Sequence, residues 1–119
     1  MTIHIPVRIH SEANLHEHWR VKYCRRKKMM NVISLYLPKN YTVPPLPCTV
    51  VLRRIAPREL DYDNLVYSMK YIRDYVADIF TPNLAAGRAD NIKGLEFLYE
   101  QKKGKPKIYA LQIEFNPDL

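Results

Sequence analysis

The chain has 119 residues, of which 47% are hydrophobic, so it can build one domain around one core and is too apolar to be disordered. Its apolar runs are only a few residues long and its N terminus lacks the features of a secretion signal, so we expect a cytoplasmic protein without a transmembrane helix. The net charge of +7 favours a polyanionic partner, and nucleic acid is the commonest one for a small basic domain.

The first third of the chain predicts a strand and a helix. Apolar and polar residues alternate from Thr2 to Ile9, which predicts a half-buried strand. Asn14 resembles a helix N-cap, and we expect the helix to continue to about residue 37. One face of this segment has apolar residues at helical spacing, which predicts the side that packs on the core: Trp19, Tyr23, Met30, Ile33 and Leu37.

The rest of the chain predicts four more elements. The apolar run within 48–55 favours a buried strand, and 63–80 has the clearest helical periodicity. Two further strands are expected at 92–101 and 107–115, with Gly104 in a turn that predicts a β-hairpin. The order β-α-β-α-β-β predicts a single α+β domain over 1–119, in which two helices pack on a mixed sheet.

An acidic segment lies between the buried strand and the strong helix. If Asp61 and Asp63 are in extended chain, the period of two places both carboxylates on one side. Carboxylate oxygens are the ligands that Mg²⁺ prefers. The alternative is that either aspartate is the N-cap of the helix, where the helix dipole favours a negative charge.

One face of the second helix, opposite its apolar stripe, carries polar side chains at helical spacing: Asp63, Tyr67, Lys70, Asp74 and Asp78. A loop after this helix can return Asp90 to the helix start. The alternatives are that Asp74 and Asp78 are ordinary solvated residues and that Asp90 belongs to a turn.

These features together resemble the RusA family of Holliday junction resolvases. The resemblance covers nearly the whole chain and is carried by four features: Asp61-Tyr62-Asp63-Asn64-Leu65, Lys70 in the same helix, Gly87-Arg88-Ala89-Asp90 before a strand, and a final alternating strand after Gln101-Lys102-Lys103-Gly104-Lys105.

The resemblance implies a homodimer that binds four-way DNA junctions, not a membrane or a small molecule, and nicks them symmetrically. It implies a site in which Asp61, Asp63 and Asp90 hold Mg²⁺, for which Mn²⁺ can substitute, and in which Lys70 stabilises charge on the phosphate or orients water. Many members of the family have paired acids at the third position, where this chain has Asp90 followed by Asn91. Asp74 or Asp78 therefore remains a candidate additional ligand.

Six basic residues lie within nine positions of the first helix, and we predict that most of them bind the DNA backbone: Arg20, Lys22, Arg25, Arg26, Lys27 and Lys28. On a helix they spread over several faces, so some must reach past the apolar stripe. The alternative is a solvated helix face.

Two other functions fit the sequence. Asp90 with Glu100 and Lys102 loosely matches the restriction-endonuclease pattern, in which an aspartate, a glutamate and a lysine surround one metal. The other is a non-catalytic DNA-binding module, in which the aspartates are helix caps.

Overall fold

The chain folds into two helices and four strands. The computed structural model describes residues 1–10, 17–80 and 92–117. The elements are β1 (Thr2–Ile5), α1 (Trp19–Tyr36), β2 (Cys48–Ala56), α2 (Tyr62–Phe80), β3 (Leu95–Lys103) and β4 (Ala110–Pro117). This order confirms the predicted α+β architecture.

The four strands form one mixed sheet in the order β1-β4-β2-β3. β2 runs parallel to β3 and antiparallel to β4, and β4 runs antiparallel to β1. A parallel pair needs a long crossover connection, and α2 lies in the one between β2 and β3. The carboxyl ends of β2 and β3 therefore meet at one edge of the sheet.

The predicted hairpin between the last two strands is wrong, because β2 lies between β3 and β4. The backbone N–H of Gly104 donates to the carbonyl oxygen of Ala56 at 2.8 Å, so the turn leads the chain past the end of β2. Val50, Val51 and Leu52 are buried on both faces of β2, as a central strand with two neighbours requires.

One face of the sheet carries the core, and both helices pack on it. Leu52 of β2, Ile113 of β4 and Ile5 of β1 point to this face and meet Met69 and Ile72 of α2, all of them essentially inaccessible to solvent. The alternation of buried and exposed residues along each strand follows from the period of two in the side-chain direction.

The opposite face of the sheet carries a polar row that crosses all four strands, which we call the Arg53 row: His4, Gln112, Arg53 and Glu100. Arg53 donates to Glu100 at 3.0 Å and to Gln112 at 2.9 Å, and Gln112 lies 3.0 Å from the ring nitrogen of His4. Glu114 adds a second carboxylate 3.6 Å from Arg53. The charge of Arg53 is thus compensated within the sheet.

α1 begins later than the sequence predicts. His18 is the N-cap, and its Nδ1 accepts a hydrogen bond from the backbone of Arg20 at 3.2 Å, whereas the predicted cap Asn14 lies outside the described residues. The predicted apolar face is wrong in its first half, because Trp19 and Tyr23 are 65% and 58% exposed. Met29 and Ile33, in the second half, are the buried residues.

In the described ranges, neither helix is long and apolar enough to cross a membrane.

Replacing a core leucine should test the assignment of the two sheet faces. Leu52→Ala is expected to lower the free energy of unfolding by about 2–5 kcal/mol, because Leu52 is 0% exposed and its removal leaves a cavity. Urea denaturation measures the change. Leu98→Ala is the matched control, since Leu98 is 51% exposed on β3, and its effect should stay within about 0.5 kcal/mol. Equal losses for the two variants would contradict this assignment.

Candidate metal centre and nucleic-acid interface

The loop between β2 and α2 is fastened to β3 by one side chain. The amide of Gln101 accepts a hydrogen bond from the backbone N–H of Leu60 at 2.9 Å and donates to the carbonyl oxygen of Leu60 at 2.6 Å. Both backbone groups of the residue before Asp61 are therefore held by the sheet. No local pattern indicates this role, because the two residues are 41 positions apart.

Asp61 is the N-cap of α2 by its backbone, since its carbonyl oxygen accepts the first helical hydrogen bond from Leu65 at 2.9 Å. A capping side chain would accept a backbone N–H of the first turn. In the described part of the chain, the carboxylate of Asp61 instead accepts a hydrogen bond from the side-chain amide of Asn64. No described residue donates a hydrogen bond to its second oxygen.

Asp63 lies in the first turn of α2 and is exposed. The expectation that Asp61 and Asp63 share a side because the chain is extended is therefore wrong, since helical residues two apart do not face each other. What the two carboxylates share is the N-terminal end of α2, which is the positive end of the helix dipole. Both are exposed there.

The third predicted ligand, Asp90, lies outside the described residues. Within 1–10, 17–80 and 92–117, no three histidine, cysteine, aspartate or glutamate side chains are close enough together to hold a metal ion. The structure thus describes two of the three predicted carboxylates.

Three neighbouring concavities lie along the outward side of α2, and together we call them the α2 groove. Its first section is lined by Tyr62, Asp63, Val66, Tyr67, Lys70 and Arg73. Its second is lined by Arg26, Tyr67, Lys70, Tyr71 and Asp74. Its third is lined by Tyr23, Arg26, Lys27, Met30, Tyr71, Asp74, Tyr75 and Asp78. Neighbouring sections share residues, so the groove leads from Asp63 to the contact between α1 and α2.

The residues of the polar face predicted for α2 therefore line the α2 groove. They lie in different sections of it, at different distances from Asp63. Lys70 shares the first section of the groove with Asp63 and with Arg73, a cation that sequence reasoning did not select. Asp74 follows Asp63 by three helical turns, or about 16 Å along the axis. Metal ligands lie about 2–2.6 Å from the ion, so Asp74 and Asp78 are too far away to join Asp63 around one ion.

The six basic residues of α1 separate onto different sides of the helix. Arg26 and Lys27 line the α2 groove, and the guanidinium of Arg26 lies over the ring of Tyr71 at 5.3 Å. Arg20, Arg25 and Lys28 line a separate concavity, where Arg25 forms an ion pair with Glu17. The structure assigns Lys22 to neither concavity. Arg26 and Lys27 are thus the two basic residues that share a section of the α2 groove with acidic residues of α2.

Two residues of the restriction-endonuclease alternative point away from this groove, and the third, Asp90, lies outside the described residues. Glu100 and Lys102 lie on the face of the sheet opposite the helices, and Glu100 is paired with Arg53 in the Arg53 row. Their neighbour Gln101 faces α2 and holds Leu60. The geometry therefore gives Glu100 a role in the sheet.

Comparisons of the chain with family models, curated proteins and solved structures find no match.

The section of the α2 groove beside α1 contains a pair of like charges, Asp74 and Asp78. Burial and, second, the neighbouring Asp74 carboxylate raise the pKa of Asp78. The charged form of Asp78 therefore costs stability at neutral pH.

Removing that charge should stabilise the protein in a pH-dependent way. Asp78→Asn is expected to raise the Tm by about 1–3 °C at neutral pH, because an i,i+4 pair of like charges is lost. A raised pKa means that the folded state holds the proton more tightly. The gain in Tm should therefore be absent below pH 3.9, which is about the pKa of Asp78 in the unfolded chain. It should appear as the pH rises through the higher pKa of Asp78 in the folded protein. Thermal unfolding across this pH range measures it.

Glu96→Gln, at an exposed position of β3, is the control and should give no such gain. A gain for Asp78→Asn that is independent of pH would contradict the assigned cause.

Loss of the Gln101 amide should make the backbone of Leu60, the residue before Asp61, more mobile. Gln101→Leu is expected to lower the free energy of unfolding by about 1–2 kcal/mol, because two hydrogen bonds to Leu60 are lost. It should also speed hydrogen exchange at the backbone N–H of Leu60, which NMR measures. Gln112→Leu removes a bond on the other face of the sheet and should leave that exchange unchanged. If Gln101→Leu leaves the exchange rate unchanged, the two bonds do not hold the loop.

Proposed function

We propose that this protein is a Mg²⁺-dependent endonuclease of the RusA kind, which resolves four-way DNA junctions by paired nicks. The observation that carries the proposal is the exposed pair Asp61 and Asp63 at the N-terminal end of α2, where Asp63 and Lys70 line one concavity and Lys70 lines the next one with Arg26 of α1. The sequence resemblance selects the same residues.

The donor set fits a magnesium ion. Mg²⁺ binds through one or two carboxylates and keeps positions for water and substrate phosphates. Asp63 and the second oxygen of Asp61 would supply the carboxylates described here, and Asp90 would be the third ligand by the family resemblance. When bound, Mg²⁺ polarises the phosphodiester and increases the acidity of water.

Hydrolysis adds the oxygen of water to phosphorus and breaks the bond from phosphorus to a deoxyribose oxygen. The phosphate group gains negative charge on the way. The ammonium group of Lys70 is on the same section of the groove as Asp63, where it can stabilise that charge. Lys70 is thus the proposed catalytic cation.

The α2 groove is the proposed path for one DNA strand. Arg26 and Lys27 would bind backbone phosphates at its far end, where their charges need no particular base sequence. Arg20, Lys22, Arg25 and Lys28 would act over a longer range by attracting the polyanion. Paired nicks require two sites, so we propose a homodimer with two-fold symmetry. The proposed place of action is the cytoplasm of a bacterial or phage-infected cell.

A synthetic four-way junction tests this proposal. With Mg²⁺ or Mn²⁺ we expect paired, symmetric nicks, and with EDTA none. Asp63→Asn is expected to lower the cleavage rate by about 100-fold or more, because a metal ligand is lost, while junction binding is retained. Gel assays of cleavage and binding on the same samples measure both effects.

Glu100→Gln is the matched control, because Glu100 is a carboxylate paired with Arg53 on the other side of the sheet. Its cleavage rate should stay close to that of the wild type. Cleavage that is lost in Glu100→Gln and kept in Asp63→Asn would support the restriction-endonuclease alternative. Junction binding without nicks under every metal condition would support a non-catalytic module.

A further inference from the structure

Two adjacent arginines of β2 have opposite surroundings. Arg53 points to the open face, where Glu100, Gln112 and Glu114 surround its guanidinium. Arg54 points to the helix side and is 7% exposed. Carboxylates therefore compensate the charge of Arg53, whereas Arg54 lies on the buried side of the sheet.

Among the described residues, the guanidinium of Arg54 has a single hydrogen-bond acceptor. One of its terminal nitrogens donates to the carbonyl oxygen of Arg58 at 2.7 Å. Its Nε is buried and has no hydrogen-bond partner. An arginine has five N–H donors, so most of those on Arg54 are unused. In the described ranges, no carboxylate pairs with Arg54.

A charged group that acts on Arg54 has the same sign. Burial lowers the pKa of Arg54, the charge of Arg8 lowers it further, and Tyr109 acts in the opposite direction. The guanidinium of Arg8 lies over the ring of Tyr109 at 4.8 Å. A buried charge without a counter-charge is costly, and a second cation beside it increases the cost.

This unpaired charge lies at the same edge of the sheet as the candidate metal centre. Arg54 is opposite Gln101 in the register of β2 and β3. It holds the carbonyl of Arg58, and Gln101 holds Leu60, so both contact the five-residue loop that ends at Asp61. An anion bound by Arg54 would therefore lie beside the site of the proposed reaction.

We propose that Arg54 and Arg8 form a binding site for one phosphate group of the DNA backbone, next to Asp61 and Asp63. The anion would place a negative charge between the two guanidinium groups and accept hydrogen bonds from their N–H donors. Arg54 would thereby position the strand and not react itself. That the anion belongs to DNA rests on the proposed function, whereas the binding of a phosphate group does not.

Inorganic phosphate tests the binding site without any cleavage assay. At constant ionic strength, about 50 mM phosphate is expected to raise the Tm of the wild type by about 3–6 °C, because it binds only the folded state. Arg53→Met should keep this rise, and Arg54→Met should lose it. In phosphate-free buffer, Arg54→Met should unfold at or above the wild-type Tm, because an unpaired buried charge has been removed.

DNA binding tests the source of the phosphate. In EDTA, the affinity for a four-way junction falls with salt, and each contacted phosphate contributes about 0.9 to the slope of log K against log salt. Arg54→Met should reduce that slope by about one contact, and Arg53→Met should leave it unchanged. If the phosphate effect on Tm is present and the slope is unchanged, the site binds free phosphate and the DNA assignment is wrong.

Arg8→Gln provides a second variant, since Arg8 is exposed and its replacement should not affect folding. It should roughly halve the phosphate-dependent rise in Tm. An equal rise in the wild type, Arg8→Gln and Arg54→Met, or no rise in the wild type, would overturn the proposal. Failure of the proposed nuclease activity would appear separately, as uncut junctions in Mg²⁺ with these Tm effects intact.

Discussion

The arrangement of this domain depends on β2, which pairs with β3 on one side and with β4 on the other. Parallel pairing with β3 brings the carboxyl ends of the two strands to one edge, where Gln101 reaches the backbone of Leu60. A register shift of one residue would turn Gln101 to the open face and bring Glu100 to the helix side. The position of Asp61 therefore depends on strand register, and register is set by the buried residues of β2 and its neighbours.

α2 connects this edge to the rest of the surface. Its inward side buries Leu65, Met69, Ile72 and Val76, which fixes the rotation of the helix about its axis. The same rotation turns the polar positions outward, so that one groove has the carboxylate of Asp63 at its head and cations of α1 further along. Packing of the apolar side thus determines the order of charges on the polar side.

The sequence predicted the features that depend on the hydrophobic periodicity along the chain. It did not predict the features that depend on which strands pair. The order of elements and the polar face of α2 follow from local spacing. The neighbours of β3 do not, because Gly104 indicates a turn without specifying which strand lies beside it. The exposure of Trp19 and Tyr23 was also not predicted. Helical spacing does not reveal where a helix extends beyond the hydrophobic core of the domain. Gln101 and Arg54 act through contacts set by the fold.

The two sides of the sheet differ in how their charges are balanced. On the open face, Arg53, Glu100 and Glu114 compensate one another, so that surface needs no ligand. At the edge near α2, Asp61, Asp63 and Arg54 form no ion pair with any described residue. A ligand that satisfies both the carboxylates and the guanidinium must carry a cation and an anion together. A divalent metal bound to a phosphodiester is such a ligand, and it is the one that the proposed function would bring to this edge.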